Sequence, residues 1–171
     1  MNQKTLVIAV IVVVAVVAVG VGVYLATLGG GGGGGGGTTP DIAGATSLQF
    51  SIDLTSGGSS LGTYTYMAKN IGTSSMMIRV EITSADGDLI YIVNGAQQKA
   101  WGYASGEWMD LSDTFSDQWN SWNSTWVGYR DSLVGWAGVG DWTYTAPNGD
   151  SVRVYDIAVN PSLADSLFEH S

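Results

Sequence analysis

The chain has 171 residues, no cysteine, one histidine and a net charge of −9. The missing cysteine excludes disulfides, thiolate metal sites and a lipid-modified cysteine. All fifteen acidic residues follow position 40, against five basic ones there (Lys69, Arg79, Lys99, Arg130 and Arg153), so nucleic acid and anionic headgroups, which need clustered Lys and Arg, are poor partners.

Residues 1–5 form a short polar end with one charge, Lys4. Leu6 to Leu28 follows, an uncharged run dominated by Val, Ala, Leu and Ile. As a helix it would be about 35 Å long, enough to span a bilayer core. A secretory signal peptide is the rival reading, but its apolar region runs only about 7–15 residues, and no small-x-small cleavage site follows here. The expectation is a single-pass transmembrane anchor over 6–28. Residues 1–5 would then be cytoplasmic and the remainder on the extracytoplasmic side of the cell membrane, with Lys4 inside. Gly29 to Gly37 is an unbroken glycine run. Nucleotide-loop patterns match inside it without meaning, because no strand precedes it and no Lys-Ser/Thr follows. It reads as a flexible tether with a reach of roughly 15–18 Å. With Thr38, Thr39 and Pro40 it makes a linker over 29–40, leaving 41–171 as the folded domain.

From Thr46 the apolar period changes to two. Leu48, Phe50, Ile52 and Leu54 alternate with polar residues, the pattern of a half-buried strand. Gly62 to Asn70 reads as a second strand with Tyr64, Tyr66 and Ala68 on one face. Met76 to Thr83 reads as a third, with Ile78, Val80 and Ile82 inward. Asp86-Gly87 predicts a hairpin turn into a fourth strand over Asp88 to Val93. Lys99 to Ala104 and Glu107 to Leu111 complete an antiparallel meander.

Asp113 to Trp136 carries Phe115, Trp119, Trp122, Trp126, Tyr129, Leu133 and Trp136 at alternating steps of four and three, one face of a helix. Thr114-Phe115-Ser116-Asp117 fits a capping box. The back of this helix is small or polar (Asn120, Ser121, Ser124, Gly128, Asp131). So broad an aromatic stripe needs a broad cover, and the strands supply one. Val139 to Thr145 and Ser151 to Val159 read as a last hairpin across Pro147-Asn148-Gly149-Asp150. Ser162 to Asp165 is a second capping-box match, opening a short terminal helix or turn.

Little of this carries chemistry. Gly58-Ser59-Ser60-Leu61-Gly62 matches a nucleophile elbow, but a strand follows where a helix is needed, and the one histidine, His170, sits near the chain end. A lone histidine supplies no three-ligand metal site. Asp110, Asp113 and Asp117 offer calcium-type oxygens at a spacing that fits no EF-hand loop; two of them read as ordinary first-turn acids. No catalytic residue, metal site or cofactor is expected. Asn123-Ser124-Thr125 is a glycosylation sequon at the flank of the stripe.

The stretches Asp88 to Gly95, Lys99 to Tyr103 and Gly106 to Asp110, with the closing run Asp156 to Phe168, resemble the LolA/LppX-like lipoprotein-carrier superfamily. The resemblance covers most of Leu48 to Phe168. It implies a single strongly curved antiparallel sheet, an unclosed half-barrel, whose apolar cavity holds acyl chains, with the aromatic helix as lid or plug. The chain departs from that pattern in having no lipobox cysteine, no amphipathic helix before the first strand and a bulkier helix.

The expected fold class is therefore α+β: a curved antiparallel sheet of seven or eight strands packed on an aromatic-rich helix, preceded by one transmembrane helix. The expected function is non-enzymatic binding of a lipid or other apolar small molecule. The proposed lining is Trp119, Trp122, Trp126, Tyr129, Phe50, Tyr64, Tyr66 and Trp101, with Ile52, Ile78 and Val80. The alternative is a structural role, as a pilin-like filament subunit or a ligand-free scaffold for a protein partner.

Overall fold

Alternating apolar and polar residues between short turns dictate an antiparallel sheet, and a computed structural model of the chain contains one. It describes residues 41–85, 87–134, 136, 138, 140–145 and 150–170. The expected anchor and linker lie outside these residues, as do Asp86 and the Pro147-Asn148-Gly149 turn. Among the described residues, no helix is long and apolar enough to cross a membrane.

Among the described residues there are eight strands: β1 (Ser47–Ser56), β2 (Ser59–Lys69), β3 (Met77–Ser84), β4 (Gly87–Asn94), β5 (Lys99–Ala104), β6 (Glu107–Asp110), β7 (Trp142–Thr145) and β8 (Ser151–Val159). A 3-10 turn (Ser112–Thr114) and helix α1 (Phe115–Leu133) separate β6 from β7, and a second 3-10 turn (Asp165–Phe168) closes the chain. All eight strands form one antiparallel sheet in the order β6-β5-β4-β3-β2-β1-β8-β7. The first six make a meander, and the β7–β8 hairpin joins the free side of β1. Helix α1 therefore connects the two edge strands, so the chain must cross one face of the sheet.

The period of two sends alternate side chains to opposite faces. On the helix face, Leu48, Phe50, Ile52, Tyr64, Tyr66, Ile78, Val80, Tyr91 and Val93 form one buried cluster with Trp122, Trp126 and Leu133 of α1. On the other face, Met67, Met77, Ile92 and Trp101 cluster around Phe168 from the carboxy-terminal tail. The sheet is thus covered on both sides, by a helix and by a tail.

Both capping boxes expected from the sequence are absent. A cap residue needs extended backbone and a side-chain oxygen free to accept a backbone N–H. Thr114 instead sits at φ −110°, ψ 20° with no capping hydrogen bond, and its hydroxyl donates back to Leu111 O at 3.0 Å. The preceding 3-10 turn takes the place of the cap. In the tail, the turn begins at Asp165, with Ala164 before it and no side-chain cap.

Helix α1 comes nearest the sheet at β4 and β5. The reason is side-chain size. On the helix side β5 offers only Ala100, Gly102 and Ala104, and Gly95 follows β4. An alanine Cβ at Gly95 would lie 2.5 Å from Trp119 Cζ3 and 2.7 Å from the carbonyl oxygens of Ser74 and Met76. Only glycine lets the indole lie against the chain there.

Candidate functional site

Helix α1 lies tightest against β4 and β5, and over β1 and β2 its side chains meet the sheet ring to ring. Five of the eight lining residues named from sequence, Phe50, Tyr64, Tyr66, Trp122 and Trp126, share one buried cluster, and Trp119 packs against it. Phe50 stacks on Tyr66 with centroids 5.2 Å apart, and Tyr64 stacks on Tyr66 at 6.5 Å. Trp126 tilts against Phe50 at 5.8 Å and meets Tyr66 edge-on at 6.3 Å. Trp122 lies one turn nearer the tight end, against Tyr91 at 6.0 Å. Trp119 is half-buried at that end, stacked on Phe115 at 5.8 Å. Ile52, Ile78 and Val80 belong to the same buried cluster. Tyr129 lies on α1, but its side chain falls outside the described residues.

Trp101 does not join this group. Its strand partner is Ile92, and both point to the tail face, where they pack with Met67, Met77 and Phe168. The placement with the inward set is corrected by strand parity: in Lys99-Ala100-Trp101-Gly102-Tyr103-Ala104 the small residues face the helix.

Half-buried apolar side chains pack against this cluster, among them Leu54 of β1, Val152 of β8, Trp142 of β7 and Trp136 beyond the helix. Trp136 is fixed there by its indole N–H, which donates to Gly140 O at 3.1 Å.

The Tyr91 hydroxyl donates to Gln118 Oε1; burial pushes its pKa up, and the Trp122 indole opposes that shift. Trp122 Nε1 is buried without a hydrogen bond of standard geometry among the described residues, so the adjacent tyrosine oxygen is its only polar relief there. Tyr91 and Gln118 escaped the sequence reading. The Leu89-Tyr91-Val93 alternation would have placed the tyrosine, whereas nothing in the sequence pairs it with the glutamine.

Burial also raises the pKa of Tyr64, and burial with the Asp53 carboxylate raises that of Tyr155. A raised tyrosine pKa means the folded state holds its proton when the unfolded chain, titrating near 10, has begun to lose it. Stability then falls as pH rises. Urea midpoints should drop steadily from pH 9 to about 11, and Tyr91→Phe, which removes the most strongly shifted group, should flatten that slope.

The other candidates are placed apart. Ser60 lies in the β1–β2 hairpin, its hydroxyl accepting Gly62 N–H at 3.2 Å, while His170 stacks on Trp108 of the edge strand β6 at 4.2 Å. Asp110 accepts Ser112 N–H at 2.8 Å, and the Ser112 contacts hold its carboxyl below the usual range. Among the described residues, no three His, Asp or Glu side chains converge as a metal site. Asn123 is exposed on the flank of α1.

No family model matches the chain, and no curated protein or solved structure is significantly similar to it.

Proposed function

We propose that this chain is a membrane-tethered, extracytoplasmic, non-catalytic domain that binds a lipid or other apolar molecule between α1 and the sheet. The observation that carries the reading is the aromatic interface itself: Phe50, Tyr64 and Tyr66 of the sheet meet Trp126 of α1, with the half-buried apolar side chains Leu54, Val152, Trp142 and Trp136 packed beside them. A binding site of this kind is concave, mostly apolar and marked by few polar groups. An elongated apolar molecule would lie along Tyr64 and Tyr66 toward Trp126. The resemblance of Asp88 to Asp110 and Asp156 to Phe168 to the LolA/LppX-like carriers agrees with this use of a sheet and a covering helix. The tether over 1–40 would hold the domain beside the bilayer that supplies the ligand. An exposed Asn123 would be open to glycosylation on that side of the membrane.

A second reading, a ligand-free scaffold, is favoured by one observation: Trp122 and Trp126 are only 1% and 0% exposed, so the indoles themselves fill much of the interface. The two readings part in one experiment. Titration with brominated fatty acids should quench tryptophan emission saturably, and Leu54→Asp should weaken the apparent affinity several-fold. Absence of saturable quenching in the folded protein would favour the scaffold.

A further inference from the structure

Asn94 closes β4 and is 0% exposed. Its amide holds two neighbours. The side-chain oxygen accepts Gln97 N–H at 3.0 Å, and Nδ2 donates to Phe168 O of the carboxy-terminal tail at 3.2 Å. The tail is tied within the chain at other points too. Ser47 Oγ donates to Pro161 O at 2.9 Å, Lys69 Nζ to Leu163 O at 2.9 Å and Arg79 Nη1 to Leu167 O at 3.0 Å. Gln97 Nε2 donates to Glu169 Oε1 at 2.9 Å. Asn94 is the most deeply buried of these donors, next to Phe168 and its slot of Met67, Met77, Ile92 and Trp101.

The residue after Asn94 is fixed for a separate reason: only glycine at 95 lets Trp119 lie against the chain. Tail docking and helix docking together therefore produce an Asn-Gly pair. Asparagine is thermolabile, most of all before glycine, whose lack of a side chain leaves its nitrogen unhindered. The Gly95 nitrogen, giving its proton to water, attacks Asn94 Cγ; the bond to Nδ2 breaks and ammonia leaves. Water then opens the resulting succinimide to aspartate or isoaspartate. In the folded chain every participant is occupied. Gly95 N–H donates to Met76 O at 2.9 Å, and turning Cγ toward that nitrogen breaks both bonds of the amide.

We propose that Asn94 is a deamidation site, guarded by the docked tail, whose conversion to a carboxylate releases that tail. The product puts an oxygen where Phe168 O had a donor, so two acceptors face each other. It also creates a buried charge, which is strongly unfavourable without a partner. The neighbouring cations are engaged elsewhere. Lys69 is held by Asp165 and Leu163 O, and Arg79 by Glu81 and Leu167 O. Lys99, the strand partner of Asn94, is exposed and acts on Asp110; pairing at 94 would bury its ammonium as well. Releasing the tail admits water to the new carboxylate and uncovers the slot. Tail docking is thus lost irreversibly as the molecule ages.

The test follows both halves. The full-length chain is kept in mildly alkaline buffer, folded or in urea. Mass spectrometry follows the tryptic peptide 80–99, in which Asn94 is the only asparagine. Conversion should be at least about tenfold slower in the folded chain than in urea, and Phe168→Ala should speed it several-fold in the folded chain. In Asn94→Asp, hydrogen exchange should show lost protection at Leu167 and its neighbours, with β1 to β3 still protected. Conversion as fast folded as in urea, or a rate unmoved by Phe168→Ala, would overturn the proposal. So would a protected tail in Asn94→Asp, or unfolding of the whole domain in that variant.

Discussion

Trp126→Ala should cost about 3–5 kcal/mol of folding stability, the usual range for deleting a large buried aromatic side chain. The indole is 0% exposed and contacts both Phe50 and Tyr66 of the sheet. Its removal leaves a cavity that neither neighbour can close, because the helix is already propped where β4 and β5 meet it. A domain of this size holds about 5–15 kcal/mol in total, so the variant should unfold at a much lower urea concentration, with unchanged cooperativity. Trp126→Phe should recover part of the loss. Trp119→Ala should cost less, since Trp119 is half-buried at the tight end. A Trp126→Ala loss below about 1 kcal/mol would mean the ring does not join helix to sheet.

Phe168→Ala should act differently although the ring is equally buried. The deletion again removes about 3–5 kcal/mol of packing, but the tail is fastened by this ring and a few carbonyl contacts. Each carbonyl contact contributes about 1 kcal/mol net, while ordering the backbone opposes it by about 1–2 kcal/mol per residue. Without Phe168 that balance turns unfavourable, and the tail should release while the sheet survives. The global loss is then capped at the docking free energy of the tail. Hydrogen exchange should show lost protection at Leu167 and neighbouring tail amides, with β1 to β4 still protected. Trp101 emission should shift to the red as its cover leaves. Cooperative unfolding of the whole domain would instead make the tail part of the main folding unit.

Much of this architecture could be read from residue order, for physical reasons that differ by element. Strict alternation in Leu48 to Leu54 and in Met77 to Thr83 has one reading, a strand with one buried face. The steps of four and three from Phe115 to Leu133 likewise have one reading, a helix with an aromatic stripe. The buried positions Trp122, Trp126 and Leu133 follow from it. Trp101 shows where such reading stops. Placing Trp101 in the lining fails because β5 gives the helix face its smallest residues, so that α1 can approach, and the tryptophan goes to the opposite side. The second cluster was hidden for a related reason. Phe168 lies in a single 3-10 turn, which has no period to detect, and its slot is assembled from residues on four strands. The capping box at Thr114 failed because a 3-10 turn already precedes the helix. Of the candidate site, the ring-bearing residues were legible; the close approach of α1 to β4 and β5, which depends on small residues there, was not.

The claim that an apolar molecule binds between α1 and the sheet is tested most directly by native mass spectrometry of residues 41–171, expressed without the tether and purified without detergent. The account predicts a fraction of the protein heavier than the bare chain by the mass of one lipid-sized molecule, and predicts that Leu54→Asp depletes that fraction. A clean mass for the bare chain, unchanged after incubation with fatty acids or isoprenoids, would contradict it and leave the aromatic stripe as core alone.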